Sequence, residues 1–592
     1  ALGIAFMLMA TTFSNVFVSL FSWERGTSES VPLEGTEGWD ADYYSYEAKS
    51  LEEATANANK LVEEISNEGF VLLKNESNAL PLKAGAGGDT IAMYGRASVD
   101  PILGGSGSGN AGSAKTVVRP YDSLKEETFE VREDVYKFFG DNYSEYDKCA
   151  ITMDNPDAST FFIGEIPVSA YSGFTPVRTD VALVFIGRGG GEGWDLSKDL
   201  KESAKSEASA SAISGNANTA AEVANYADGQ HQLELSKEER DMIDYATANY
   251  DKVVVVINSS HAMELGALKD DPDVDAMLWI GSTGAEGCRA LGNILSGAVN
   301  PSGRLVDLYA ADFTADPTFR NEGVFEYTGL EDGYVAKGTR DTKAYMMQYE
   351  EGIYVGYKYY ETAYAEAEDG DYAGFDYDEA VVYPFGYGLS YSTFTQTIKA
   401  VSEDDDTVTV TVAVTNNSEE RDGKEAVQLY YTPPYTDGGI EKAAVNLIAI
   451  DKVSVPAGET VETTLTFDKE DLASYDYKKT KAENGGYVLE AGEYEISLRT
   501  DSHTYAGGTR TEYADGSGNC FTFTVGRDVV YDDGRESDEE AAVNRFDDVS
   551  SMMKDTAEKG YARNFSRADF AGTFPTAPTA DDLRRIRERK AL

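Results

Sequence analysis

Four compact apolar runs, DTIAMYGR (89–96), TDVALVFIGR (179–188), YDKVVVVINSS (250–260) and VDAMLWIGS (274–282), restrict the first half of this chain to few architectures. Each run is apolar at consecutive positions and is bounded by polar or glycine residues, the pattern of a strand buried on both faces. Between them lie stretches with helical spacing. In SKEERDMIDYATAN (236–249), Ser236 is placed to cap the helix and Glu239 to complete a capping box, while AEGCRALGNILSG (285–297) ends on a glycine stop signal. Upstream, EAKSLEEATANANKLVEEISNEGFVLLKN (47–75) reads as a helix followed by a strand. Strands alternating with helices predict an α/β fold, a mainly parallel sheet covered on both faces as an α/β/α sandwich. In such sheets ligands gather beyond the carboxyl ends of the strands.

From about residue 396 the hydrophobic period changes to two, in TVTVTVAVTNN, AVQLYYT, ETVETTLTF, GEYEISLR and CFTFTV, separated by turn residues such as PAGE and EAGE. This predicts an all-β sandwich resembling a fibronectin type III or immunoglobulin-like module, a fold that by itself specifies no chemistry. Beyond residue 528 the chain is charged and weakly periodic, and DDLRRIRERKAL (581–592) reads as the start of a helix.

The net charge of -53 opposes binding to nucleic acid, which requires Lys and Arg to replace condensed counterions, and to anionic lipid. A neutral sugar meets no such repulsion, and 38 Tyr supply the flat faces on which sugar rings lie. With 3 His in the chain, a His-rich metal centre or a Ser/His/Asp triad has little material. Cys149, Cys288 and Cys520 lie far apart without metal-ligand spacing and are read as buried free thiols. Catalysis should therefore run on carboxylates, with no metal or organic cofactor. Residues 1–23 carry no charge and are just long enough to cross a bilayer, so they are expected to be a transmembrane anchor or a cleaved signal segment. Either reading places the body outside the cell.

Two glycine-rich segments could carry chemistry. In GGSGSGNAGS (104–113), Gly107, Gly109 and Gly112 have G-x-G-x-x-G spacing, but the segment lacks the direct strand-to-helix setting and the ribose-binding acid of a dinucleotide site. A plain flexible loop and a loop lining a sugar site remain open, the latter making Ser106 and Ser108 candidate substrate contacts. The second segment, IGRGGGEGWDLSKD (186–199), follows a buried strand and holds Glu192 between glycines, which allow a carboxyl group to project into a cleft. Trp194 could stack on a sugar and Asp195 could bond its hydroxyls; from local sequence alone, a solvated loop residue is the better reading of Glu192.

Taken in order, GFVLLKNESNALPL (69–82), DPILGGSGSG (100–109), VFIGRGGGEGWD (184–195), GAEGCRALGNILSGAVNPSGRL (284–305), GIYVGYKYYE (352–361) and YPFGYGLSYSTF (383–394) resemble the second, α/β-sandwich domain of family 3 glycoside hydrolases, the β-glucosidase and β-xylosidase family. The resemblance implies that Glu192, in the G-E-G of 191–193, is the general acid/base, and that the β-module follows. It also implies a nucleophilic aspartate on a TIM-type barrel. The Ser-Asp-Trp motif of that nucleophile is absent, and the flanks of the match are too short for a barrel of about 250 residues. Some family members place the barrel last, so RNFSRADFAGTFPTAPTADDL (563–583) is expected to lead into a barrel missing from this sequence. The expected organisation is an anchor or signal at 1–23, a linker with the first helix at 24–59, the α/β sandwich at 60–395, the β-module at 396–525, and a linker at 526–592.

The implied function is retaining hydrolysis of an oligosaccharide or aryl β-glycoside, with β-glucoside taken from the family's commonest activity. Two carboxyl groups about 5 Å apart share this chemistry, one attacking the anomeric carbon and one moving the proton. Glu192 would be the second. The rival reading is a non-catalytic cell-surface carbohydrate-binding or adhesion protein.

Overall fold

The computed structural model describes residues 48, 50–105, 117–146, 148–149, 161–162, 164–190, 196–201, 226–321, 323, 325–326, 345–346, 349–538, 540–542 and 564–580. The chain forms two compact units, residues 1–58 and 59–592. In the first, the described residues from Leu51 onward belong to helix α1 (Leu51–Gly69), which continues into the second unit. No described helix is long and apolar enough to cross a membrane, and residues 1–23, the expected anchor, lie outside the described residues.

The second unit begins with a six-stranded sheet built from β1 (Val71–Asn75), β2 (Thr90–Tyr94), β3 (Glu130–Val131), β4 (Val181–Arg188), β5 (Lys252–Ser259) and β6 (Ala276–Trp279). Their spatial order is β1-β6-β5-β4-β2-β3, parallel throughout except for β1, which runs antiparallel along β6 at the edge. All four apolar runs are therefore strands of one sheet. Alternate residues of each strand enter opposite cores because side chains along a strand point to opposite faces. Ala182, Val184, Ile186, Val253, Val255 and Ile257 pack with α3 (Glu133–Asn142) and α4 (Lys237–Asn249). Val181, Leu183, Phe185, Val254 and Val256 pack with α2 (Pro120–Glu126) and α5 (Arg289–Ser296) on the other side. Each such side chain contributes roughly 1.5–3 kcal/mol relative to exposure, so both faces must be covered.

The predicted caps form. Glu239 N–H donates to Ser236 Oγ at 3.2 Å and Ser236 N–H to Glu239 Oε2 at 2.8 Å, closing the capping box of α4. Helix α5 ends on Gly297 in the left-handed region, φ 76°. Of the cysteines, Cys288 and Cys520 are buried free thiols.

After α6 (Tyr357–Asp369) the chain enters two antiparallel sheets that face each other across one core. The strands are β7 (Phe394–Glu403), β8 (Thr407–Asn416), β9 (Gly423–Thr432), β10 (Asn446–Val455), β11 (Thr460–Asp468), β12 (Gly492–Arg499) and β13 (Cys520–Val525). They pair as β7-β8-β11 and β10-β9-β12-β13. In β8 Val408, Val410, Val412, Val414 and Asn416 are buried, with the intervening threonines and Ala413 turned outward, as the period-two pattern requires. Within the stretch assigned from sequence to a linker, Phe565 and Phe570 are buried against Tyr354 and Tyr359.

Candidate active site at the carboxyl edge of the parallel sheet

Strand β4 is buried along its whole length and ends on a charge, Arg188. A buried guanidinium is tolerated only if its donors are satisfied, and here they are. Arg188 pairs with both oxygens of Glu239, with Nη2 to Oε2 at 2.6 Å, and donates from Nε to the Gln232 carbonyl at 2.7 Å and from Nη2 to the Glu234 carbonyl at 2.6 Å. Glu239 thus serves both as capping residue of α4 and as counter-ion of β4. The pair draws residues 232–234 onto the end of the strand.

Gln232 then bridges two chain segments. Its Nε2 donates to the Gly189 carbonyl at 3.2 Å, its Oε1 accepts from Ser197 N–H at 3.0 Å, and its own N–H donates to the Ser197 carbonyl at 2.9 Å. One buried amide holds both flanks of the segment 190–196. On the same edge, His261, just beyond β5, lies against Gly190 so closely that a Cβ there would be 2.5 Å from Nε2. Among the described residues that buried Nε2 has no hydrogen-bond partner, and burial pushes the imidazole pKa down, so the ring is neutral near pH 7.

Asn258, the penultimate residue of β5, ties in a further segment. Its Oδ1 accepts from Ile102 N–H at 2.6 Å, and its Nδ2 donates to the carbonyls of Ile102 at 3.0 Å and Gly281 at 2.6 Å. Gly284 N–H donates to the Leu103 carbonyl at 2.8 Å. The chain that leads toward 104–113 is therefore fastened to the ends of β5 and β6. At the end of β2, Gly95 (φ 90°) is the only residue type that fits, since a Cβ would collide with the Phe185 carbonyl.

A buried carboxyl group adjoins this edge. Glu165 accepts from Arg96 N–H and Ile166 N–H, both at 2.8 Å, yet burial pushes its pKa up to about 7. Its neighbour Arg96 pairs with Asp100 at 2.9 Å. Among the described residues no group of three or more His, Cys, Asp or Glu is arranged to hold a metal ion.

The predicted site residues Ser106, Ser108, Glu192, Trp194 and Asp195 lie outside the described residues. What the structure brings together is their flanks, Ile102–Leu103 and Gly189–Gly190 with Ser197, on one edge of one sheet. Gln232, Asn258, His261 and Glu165 escaped sequence reading. A faint signal existed for Asn258, a lone amide closing an apolar strand, and for His261, one of 3 histidines.

Comparison with known proteins agrees with this architecture. Residues 70–357 match the glycosyl hydrolase family 3 C-terminal domain, and residues 425–502 match the fibronectin type III-like domain. Beta-glucosidase A of Butyrivibrio fibrisolvens is 30% identical over 461 residues, covering 74% of this chain and 49% of that protein. A beta-glucosidase of Ruminococcus albus is 28% identical over 469 residues, covering 78% of this chain and 40% of that protein. The structure of beta-glucosidase 3B from Thermotoga neapolitana in complex with alpha-D-glucose superposes with a TM-score of 0.58 at 26% identity, covering 81% of this chain and 55% of that one. The chain spans about half the length of the curated relatives it matches.

Proposed function

We propose that this chain, which belongs to glycosyl hydrolase family 3 through its domain at residues 70–357, supplies the acid/base half of a retaining β-glucosidase acting on β-linked gluco-oligosaccharides or aryl β-glucosides. The observation that carries the reading is the clamp at the carboxyl edge. Just before Glu192 in the chain, Gly189 is held there by a hydrogen bond from Gln232 and Gly190 lies against His261, on the same edge as the segment that leads to Ser106 and Ser108.

In this reading Glu192 protonates the departing oxygen and then deprotonates the attacking water. The nucleophilic carboxylate comes from a barrel of the same polypeptide, with the two carboxyl groups about 5 Å apart. To donate near neutrality Glu192 needs a raised pKa, for which burial against Trp194 and the nearby nucleophile are the physical means. Trp194, Asp195, Ser106 and Ser108 contact the sugar. No cofactor takes part. The proposed location is the outer face of a membrane, through the uncharged residues 1–23, or the medium if that segment is cleaved.

The test is Glu192→Ala in the barrel-containing enzyme. Loss of an acid/base should reduce turnover of glycosides with poor leaving groups far more than of a dinitrophenyl glucoside, which needs no protonation. Azide should restore turnover and yield a glycosyl azide of retained configuration. Equal loss on every substrate without rescue, or no loss at all, would remove Glu192 from the mechanism.

A further inference from the structure

A cavity of about 420 Å³ opens between the start of α6 and the β-sandwich, lined by residues drawn from 352–565 and by none of the carboxyl edge. Its size suits a small molecule. Tyr354, Tyr431, Tyr475, Tyr477, Tyr487 and Phe565 form much of its wall, flat apolar faces with phenolic edges that fit a ring carrying hydroxyls.

Its charges are unequal in their pairing. Glu441 accepts from Lys478 Nζ at 2.7 Å, Ser566 Oγ at 2.6 Å, Tyr354 Oη at 2.7 Å and Arg567 N–H at 3.0 Å, so the carboxylate is saturated. Lys442 pairs with Glu490 at 2.5 Å and donates to the Pro434 carbonyl at 2.7 Å. Lys358, the remaining lining cation, has no hydrogen-bond or ion-pair partner for its ammonium among the described residues. Burial pulls its pKa below the ordinary lysine range, with no carboxylate among the described residues to offset it. A half-buried ammonium with no counter-charge among the described residues is an arrangement that an anion would complete.

We infer that this cavity is a second binding site, for a monocyclic carboxylate whose ring lies among the tyrosines and whose carboxylate pairs with Lys358. The site goes beyond the glycosidase reading and uses none of its residues. A sugar acid and a hydroxybenzoate share the required chemistry.

Titration calorimetry of the 592-residue chain separates the two sources: glucuronate is compared with glucose, and 4-hydroxybenzoate with 4-hydroxybenzyl alcohol. At least one acid should bind saturably, about tenfold or more tighter than its neutral twin. Lys358→Met keeps the aliphatic stem and removes the charge. It should weaken that acid about tenfold or more while raising the melting temperature of the free protein, which shows that the variant folds. Lys358→Arg should retain binding within a few-fold. No saturable heat from either acid, equal binding of the neutral twin, or unchanged binding by Lys358→Met would each overturn the assignment.

Discussion

The imidazole of His261 presses on Gly190, leaving 2.5 Å between Nε2 and the position a Cβ would take. Gly190→Ala must displace the ring, and overpacking of this kind costs about 1–3 kcal/mol. The loss should shrink when His261 is also Ala. Denaturant midpoints of the two single variants and the double variant should give a coupling of about 1 kcal/mol. Additive effects would mean that the ring moves aside freely.

Gln232 should matter to the proposed chemistry out of proportion to its effect on folding. Gln232→Ala removes the side-chain bonds to Gly189 and Ser197 together, leaving only the backbone bond from residue 232 to the Ser197 carbonyl, and Gln232→Glu removes the donor to Gly189 while keeping the acceptor for Ser197. In the barrel-containing enzyme both variants should lose about 10- to 100-fold in kcat/KM on glucosides with poor leaving groups, and less on the dinitrophenyl glucoside, because a misplaced acid is felt only where protonation is needed. Equal loss on both substrates would assign Gln232 to folding alone.

Glu165 predicts a pH dependence of stability. Its folded pKa of about 7 lies above the ordinary value of 4.5, so the folded state binds the proton more tightly than the unfolded state. The associated stability is fully present below pH 4.5 and is lost as pH rises through 7, by about 3 kcal/mol at most. Glu165→Gln stays neutral. The difference in denaturant midpoint between wild type and this variant should therefore shift in the variant's favour from pH 5 to pH 8, and a constant difference would count against the raised pKa.

Glu239→Gln should destabilise far more than loss of a cap. It leaves the Arg188 guanidinium, 5% exposed, without its counter-charge, a change worth about 3–5 kcal/mol. Ser236→Ala, which removes only the hydroxyl of the capping box, should cost about 1 kcal/mol. Thermal melts of the two variants side by side check the ranking; comparable losses would show that the ion pair adds little.

Failures of sequence reading in the β-sandwich have local causes. β8 was legible because four alternate residues, Val408, Val410, Val412 and Val414, are buried valines. β10 was missed because it is an edge strand whose middle, Leu447–Ser454, is nowhere fully buried, so no selection for an apolar alternation acts on it. β7 is also an edge strand, and a register shift between Ile398 and Ala400 breaks its alternation.

By itself the sequence determined whatever depends on neighbours along the chain. Consecutive apolar residues in 181–186 and 253–257 require burial on both faces, Ser236 and Glu239 form a cap three residues apart, and the valines of β8 mark a half-buried surface. Only the tertiary structure decided the strand order β1-β6-β5-β4-β2-β3, and with it which loops share an edge. Gln232 meets Gly189 from 43 residues away, and Asn258 meets Ile102 from 156. Such side-chain to backbone bonds impose no periodicity and need no special residue on the backbone side, so nothing local announces them. They exist because parallel strands, joined through helices, bring distant segments to the same end of the sheet.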